Sequence, residues 1–112
     1  MIHQMKLFNR PFQIIKSESK TIEMRLNDEK RRLIKINDII EFINNDTSEV
    51  MKAMVINLYY YDTFEQLYNN HNKIAIGYTI DEEAKPEDML AYYSQDKINK
   101  YGVVGIEIKV IK

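Results

Sequence analysis

The 112-residue sequence has no cysteine and no tryptophan, and only two histidines, two prolines and three glycines. The absence of cysteine excludes disulfides, thiolate catalysis and cysteine-ligated zinc, and is typical of proteins in a reducing compartment. With His3 and His71 as the two imidazoles, a zinc site would depend on carboxylates. We therefore expect no metal and no cofactor, and we interpret both histidines as structural.

Long apolar runs are also missing. No segment approaches the roughly 18 apolar residues that a membrane span requires. The N-terminal stretch "MIHQMKLFNR" lacks the uninterrupted apolar run of a signal peptide. The sequence therefore predicts a soluble, cytoplasmic protein with no membrane partner.

Neither sign of charge dominates, because 16 Lys and Arg stand against 17 Asp and Glu, for a formal net charge of −1. A general nucleic-acid coat protein would be basic, and we expect no sequence-specific DNA binding. The charges are nevertheless unevenly placed. Residues 16–35 hold seven basic and four acidic side chains, whereas residues 62–100 hold eight acidic and four basic ones. This predicts a positive and a negative face, although solvated helices would give the same pattern.

The composition of the chain is that of one small globular domain. Hydrophobic residues make up 45% and charged residues 29% of the chain, as is usual for a globular protein. No linker or repeat interrupts the chain, so we expect residues 1–112 to form a single domain. Hydrophobic alternation and β-branched residues predict five strands, "HQMKLF", "KTIEMRL", "DIIEFIN", "VMKAMVINLYYY" and "YGVVGIEIKVI".

Three short helices are predicted between these strands. The first is "NRPFQIIKSES", with Asn9 at its cap position; the second is "TFEQLYNN", beginning at Thr63; the third runs from Pro86 to about Tyr93. "NDEKRRLI" predicts a polar turn or one helical turn, and residues 71–85 a loop. The spacing is too short for repeated βαβ crossovers, so several strand pairs must be antiparallel. We expect an α+β fold with a small curved sheet or barrel.

The stretch "KTIEMRLNDEKRR" is the main candidate for a site. Strand alternation places Glu23 and Arg25 on one face, about 6 to 7 Å apart, so that both can contact one ligand. A glutamate accepts from an exocyclic amine, and an arginine offers a planar fork to phosphate or carbonyl oxygens. Lys20 would be an electrostatic anchor or, if desolvated, a base or nucleophile. A surface Glu–Arg pair beside a solvated lysine is the structural alternative.

Two further groups are candidate ligand contacts. Tyr60 and Tyr101 would lie at a cleft rim, where stacking on a base contributes roughly 1 to 3 kcal/mol. Lys30, Arg31 and Arg32 follow the strand "KTIEMRL" and would hold a phosphate backbone. A solvated turn explains the three basic residues equally well.

The stretch "KTIEMRL" resembles the ASCH motif, a G-x-K-x-x-E-x-R pattern of the PUA-like superfamily. The likeness extends through "RLNDEKRR", "INDIIEF", "YYYDTFEQL" and "YGVVGIEI", and so covers nearly the whole chain. Lys20, Glu23 and Arg25 match the motif's functional residues. Glu18 stands where the motif has glycine, at a helix end where a left-handed backbone is usual. This departure bears on the loop geometry and on how closely a ligand approaches.

The resemblance implies a PUA-like β-barrel with helices covering its ends and a motif-lined cleft that binds RNA or a modified nucleoside or nucleotide. Some small ASCH proteins are amidohydrolases that remove an acyl group from N4-acetylcytidine with a Lys, a Thr and a Glu. Ribonuclease activity has been proposed for others. In this chain Lys20 matches the catalytic Lys, Glu23 replaces the Thr, and Glu82 is the best match to the Glu.

Three functions therefore stay open. The first is a binding module in which Glu23 reads an amine while Lys20 and Arg25 hold oxygens. The second is an amidohydrolase that uses Lys20, Glu23 and Glu82. The third is an interaction protein with a vestigial cleft, whose acidic face binds a protein partner.

Overall fold

A computed structural model describes residues 1–112. The elements along the chain are β1 (Ile2–Leu7), α1 (Asn9–Lys16), β2 (Ile22–Leu26), a first 3₁₀ helix (Arg31–Leu33), β3 (Ile39–Asn44), β4 (Val50–Tyr61), α2 (Phe64–Asn70), a second 3₁₀ helix (Pro86–Ala91), α3 (Gln95–Tyr101) and β5 (Val103–Val110). The predicted α+β class, with five strands and three helices, is confirmed. None of the helices is both long enough and apolar enough to cross a membrane.

The five strands form one sheet in the order β1-β3-β4-β5-β2. β1 pairs with β3 in parallel, and the other three neighbouring pairs are antiparallel. β1 and β2 are the two edges and do not pair. The sheet is nevertheless curled enough for Arg25 Nη2 on β2 to donate to the Lys6 carbonyl on β1, at 3.2 Å. The result is a half-barrel whose open seam lies between β1 and β2.

Two hydrophobic clusters hold this sheet. The first joins α1, through Phe12 and Ile15, to β1, β3, β4 and β5. The second packs α2 and α3, through Leu67 and Ile98, against β2 and the start of β5. Each such fully buried side chain contributes about 1.5 to 3 kcal/mol. The two edge strands are therefore held separately: β1 by the first cluster, through Met5 and Leu7, and β2 by the second, through Ile22, Met24 and Leu26.

The structure confirms the predicted start of one helix and corrects a predicted cap on another. The second helix was predicted to begin at Thr63, and Thr63 directly precedes α2 and caps it, because its hydroxyl accepts from the Gln66 amide. Asn9 does not cap α1, because it is already the first helical residue. Its side-chain oxygen instead accepts from Asn44, and its own amide donates to the Asp46 carboxylate at 2.9 Å. The cap is thus supplied by the turn after β3.

The third helix differs most from the prediction. The segment from Pro86 forms a 3₁₀ helix that ends at Ala91, and α3, which was not predicted, follows it. Ser94 caps α3 by accepting from the Lys97 amide, and Gly102 ends it with a φ of 70°. The predicted last strand therefore starts at Val103 rather than Tyr101. The loop predicted over residues 71–85 contains turns but no helix or strand.

Candidate functional site

A cleft lies at the open seam between β1 and β2. It encloses about 560 Å³, within the range typical of small-ligand sites. One wall comes from the end of β1 and the start of α1, and the other from β2. The turns around Gly77 and the second 3₁₀ helix complete it. Asn45, after β3, and Tyr68, on α2, also line the cleft, which is therefore built by segments from several parts of the chain.

Lys20, Glu23 and Arg25 form a buried ion cluster in this cleft, and we call these three residues the triad. Lys20 Nζ lies 2.8 Å from Glu23 Oε1. Arg25 approaches Glu23 Oε2 through Nε at 3.0 Å and through Nη2 at 2.9 Å. Lys20 is only 9% and Glu23 only 4% exposed. The structural alternative, a solvated Glu–Arg pair beside a solvated lysine, is therefore wrong.

The turns before Gly77 explain why the triad is buried. The Thr21 and Ile22 amides both donate to the Ala75 carbonyl at 2.9 Å, so residues 75–77 cover the outer edge of β2 at its start. Gly77 has a φ of 115°, and a Cβ on it would lie 3.0 Å from Lys20 Cδ. Lys20 is held beneath this glycine and turns to the same side as Glu23, although strand alternation assigns it to the opposite face.

The triad has a definite charge. Burial alone would raise the pKa of Glu23, but the charges of Lys20 and Arg25 and their hydrogen bonds outweigh burial and lower it to about 2. Burial works against the Arg25 charge as well, yet the Glu23 carboxylate keeps the Arg25 pKa above its ordinary value. Two cations around one carboxylate leave one net positive charge at the cleft, which suits an anionic ligand group.

Glu18 takes up the backbone conformation for which the motif uses glycine. Its φ is 68°, in the left-handed region. The Glu18 amide donates to the Ile15 carbonyl at 2.9 Å, and its carboxylate pairs with Lys112 Nζ at 2.7 Å. The departure from glycine therefore leaves the left-handed turn in place, at a cost in strain.

The opposite wall carries a second ion pair, between Arg10 on α1 and Glu82 in the loop. Arg10 Nη2 lies 2.7 Å from Glu82 Oε1, which also accepts from the Thr79 amide at 2.9 Å. These two donors, the Thr79 amide first, lower the pKa of Glu82. Both residues line the cleft. Glu82 thus shares the cleft with the triad.

Tyrosines and one aspartate form the remaining wall. The Tyr68 and Tyr78 hydroxyls lie 2.8 Å apart, and the Tyr78 hydroxyl donates to Asp88 Oδ2 at 2.8 Å. Burial, followed by these hydrogen bonds, raises the pKa of Tyr78. Tyr92 is 64% exposed at the rim, and Tyr93, which also lines the cleft, stacks on Phe64. Sequence reasoning did not select the tyrosines of this wall or Asp88.

The two tyrosines predicted for the rim lie elsewhere. Tyr60 and Tyr101 line a second hollow of about 530 Å³ beside the start of α2 and the end of α3. Tyr60 is 55% exposed. A register shift in β4 between Val55 and Asn57 changes which residues face inward along the end of this strand. Neither tyrosine lines the cleft that holds the triad.

The three basic residues of the turn also lie outside the cleft. Arg31 pairs with Asp28 at 3.2 Å, and Arg32 donates to the Asn27 carbonyl at 2.9 Å. Lys30 is exposed. The sequence-adjacent basic turn and the triad are thus two separate positive features.

Both histidines have polar partners away from the cleft. His3 Nε2 lies 2.8 Å from Asp38 Oδ2, and His71 Nε2 lies 2.9 Å from the Tyr61 hydroxyl. Burial lowers the pKa of His71. No group of three or more histidine, aspartate or glutamate side chains is placed to hold a metal ion.

Fold and site together define a small α+β protein with a curled five-stranded sheet and a charged cleft at its seam. The chain belongs to the ASCH domain family, because the model of that domain matches residues 5–112. The resemblance carried by the Lys20 motif is thereby confirmed. The ASCH domain is a PUA-like fold that is often linked to RNA binding.

Solved structures agree with this assignment. The crystal structure of hypothetical protein PH0355 is 31% identical, with a TM-score of 0.84, and the match covers 99% of this chain and 100% of that one. The solution structure of protein PF0455 from Pyrococcus furiosus is 30% identical, with a TM-score of 0.76, covering 100% and 99%. An ASCH protein from Zymomonas mobilis shares the fold at 13% identity, with a TM-score of 0.58, covering 96% and 66%. No curated protein gives a significant match.

Proposed function

We propose that the chain is a binding module that takes RNA or a nucleotide-derived ligand into the seam cleft. The observation that supports this most is the triad itself. A buried ion cluster is a poor way to gain stability, since apolar residues of similar volume serve as well or better. Buried and strongly perturbed charges are instead concentrated where ligands bind. A cationic triad inside an aromatic-walled cleft suits a ligand that combines a planar base with an anionic group.

The three residues of the triad have different roles in binding this ligand. Lys20 and Arg25 supply the positive charge that holds phosphate or carbonyl oxygens. Glu23 already accepts from both of them, with Lys20 on Oε1 and Arg25 on Oε2. Its main role is thus to fix the two cations in position. Tyr92, exposed at the rim, supplies a surface on which a base stacks.

The test is binding of a short fluorescent single-stranded RNA at several salt concentrations, with Lys20→Met as the variant. Lys52→Met is the matched control, because Lys52 is exposed on β4 and does not line the cleft. We expect Lys20→Met to weaken binding about tenfold and to flatten the plot of log affinity against log salt by about 0.7, the loss of one phosphate contact. Absence of RNA binding by the unaltered protein, or equal effects of both variants, would contradict the proposal.

The other predicted contacts concern a longer ligand. Lys30, Arg31 and Arg32 would meet phosphates of an RNA that extends beyond the cleft. Tyr60 and Tyr101 would stack bases only if the chain of nucleotides reached the second hollow. These roles stay predictions.

A second candidate function is hydrolysis of N4-acetylcytidine or a related small amide. The observation that favours it is that Glu82 lines the same cleft as Lys20. Glu23 stands where the family's hydrolases have threonine, and with a pKa of about 2 it cannot donate a proton near neutral pH. Proton transfer would therefore fall to Lys20 and Glu82.

Chromatography of N4-acetylcytidine incubated with the protein distinguishes the two functions. Release of cytidine by the unaltered protein, and its loss in both Lys20→Ala and Glu82→Gln, would establish the hydrolase. Binding without release would leave the cleft as a recognition site.

A further inference from the structure

We infer that Asp88, held by Tyr78, is the group that reads an exocyclic amine on the bound base, so that the cleft selects amine-bearing bases over bases with a carbonyl at the same position. This inference rests on the proposed function and adds the specificity of the site. It also reassigns a role that strand alternation had given to Glu23.

Glu23 and Asp88 differ in how many of their hydrogen-bonding positions are already occupied. A carboxylate accepts about four hydrogen bonds. Glu23 is already engaged on both oxygens: Lys20 pairs with Oε1, and Arg25 donates to Oε2 through Nε and forms a second ion-pair contact there through Nη2. Its side chain is also almost wholly buried. Asp88 receives one side-chain hydrogen bond, from Tyr78 to Oδ2. Oδ1 of Asp88 is free to accept from a ligand, and the exposed side chain can be reached.

The surroundings of Asp88 make it a selective acceptor. The Tyr78 hydroxyl donates its proton to Asp88, so the Tyr78 oxygen can accept from the Tyr68 hydroxyl. The three groups form a chain of hydrogen bonds. This chain fixes the carboxylate beside two aromatic rings. A fixed carboxylate attracts an N–H donor and repels a carbonyl oxygen, so the same group favours one base and disfavours the other.

Glu82 is the other carboxylate of the cleft, and it fits this role less well. Its Oε1 accepts from both Arg10 and the Thr79 amide. The adjacent guanidinium neutralises its charge and would itself attract a carbonyl oxygen. Asp88 has no cationic partner. The cleft thus places the cationic triad and one unneutralised carboxylate within the same hollow, matching a ligand with an anionic group and an amine.

The experiment is calorimetric titration with two matched ligand pairs, CMP against UMP and AMP against IMP. Within each pair the main change is an amine replaced by a carbonyl. We expect the unaltered protein to prefer the amine on the order of tenfold, the effect of one hydrogen bond to a charged group. Asp88→Asn should abolish this preference. Glu87→Gln is the control, since Glu87 is the exposed neighbour that does not line the cleft.

The outcomes are separable. Equal binding within both pairs by the unaltered protein, or a preference that persists in a folded Asp88→Asn protein, would overturn the role of Asp88 while leaving nucleotide binding intact. Absence of binding by all four nucleotides and by RNA would overturn the proposed function and this inference together. Loss of the preference in Asp88→Asn but not in Glu87→Gln would support it.

Discussion

The triad and the basic turn come from one stretch of sequence, residues 20–32, yet they differ in almost every physical respect. In the triad, one carboxylate is enclosed by two cations and covered by residues 75–77. In the turn, Lys30 is exposed, and Arg31 and Arg32 are engaged by the turn's own groups. Charge density alone does not distinguish the two regions. Burial against a cleft does, and burial is set by contacts from distant segments.

The largest expected effect comes from removing the carboxylate of each region. Glu23→Gln leaves Lys20 and Arg25 buried without their counter-charge, and should lower the free energy of unfolding by about 3 to 5 kcal/mol. Asp28→Asn removes the partner of Arg31 and should cost about 1 kcal/mol. Urea denaturation of both variants measures the difference. Similar losses in the two proteins would show that the triad is not energetically distinct from the turn.

Lowering the pH tests how much the ionised carboxylate of the triad contributes to stability. The pKa of Glu23 is lowered from 4.5 to about 2 in the folded protein. Its ion pairs therefore contribute fully above pH 4.5, and that contribution is lost as pH falls from 4.5 towards 2. Asp38, whose pKa is lowered from 3.8 to about 2, first by its hydrogen bond with His3, adds to the loss below pH 3.8. Urea titrations from pH 6 to pH 2 should show a shallower loss in Glu23→Gln than in the unaltered protein. An unchanged slope would mean that the pKa of Glu23 is the same in the folded and the unfolded protein.

The covering of the triad is tested by Gly77→Ala. The new Cβ would meet Lys20 at a φ that alanine rarely adopts, so we expect a loss of about 1 to 2 kcal/mol and weaker nucleotide binding. Gly102→Ala is the control, because it also has positive φ but lies at the end of α3. It should lose stability without losing affinity. If both variants bind normally once folded, Gly77 does not position Lys20.

The smallest effect is expected at Glu18. Glu18→Gly should raise the free energy of unfolding by about 0.5 to 1 kcal/mol, since glycine adopts φ of 68° without the strain of a Cβ. Asn37→Gly, at a φ of 78°, should gain less because asparagine tolerates this region better. Thermal denaturation of both variants measures whether Glu18→Gly gains more stability than Asn37→Gly. A clear loss in Glu18→Gly would show that the pair with Lys112 outweighs the backbone strain.

Sequence reasoning reached the strands and the motif because alternation is a local signal. It missed α3 because residues 95–101 are mostly polar, and only Ser94 and Gly102 mark the ends of this helix. It left a solvated Glu–Arg pair open as an alternative because the segment that covers the triad lies some fifty residues further along the chain. It chose Tyr60 over Tyr78 because position in the cleft depends on packing between distant segments, which composition does not encode.

The central claim is that the triad, and not the basic turn, holds the anionic group of the ligand in the cleft. Calorimetric titration of CMP into Lys20→Met and Lys30→Met tests it most directly, because each variant removes one lysine from one of the two regions. The account predicts about a tenfold loss of affinity in Lys20→Met and a change within about twofold in Lys30→Met. Equal losses, or a larger loss in Lys30→Met, would contradict it.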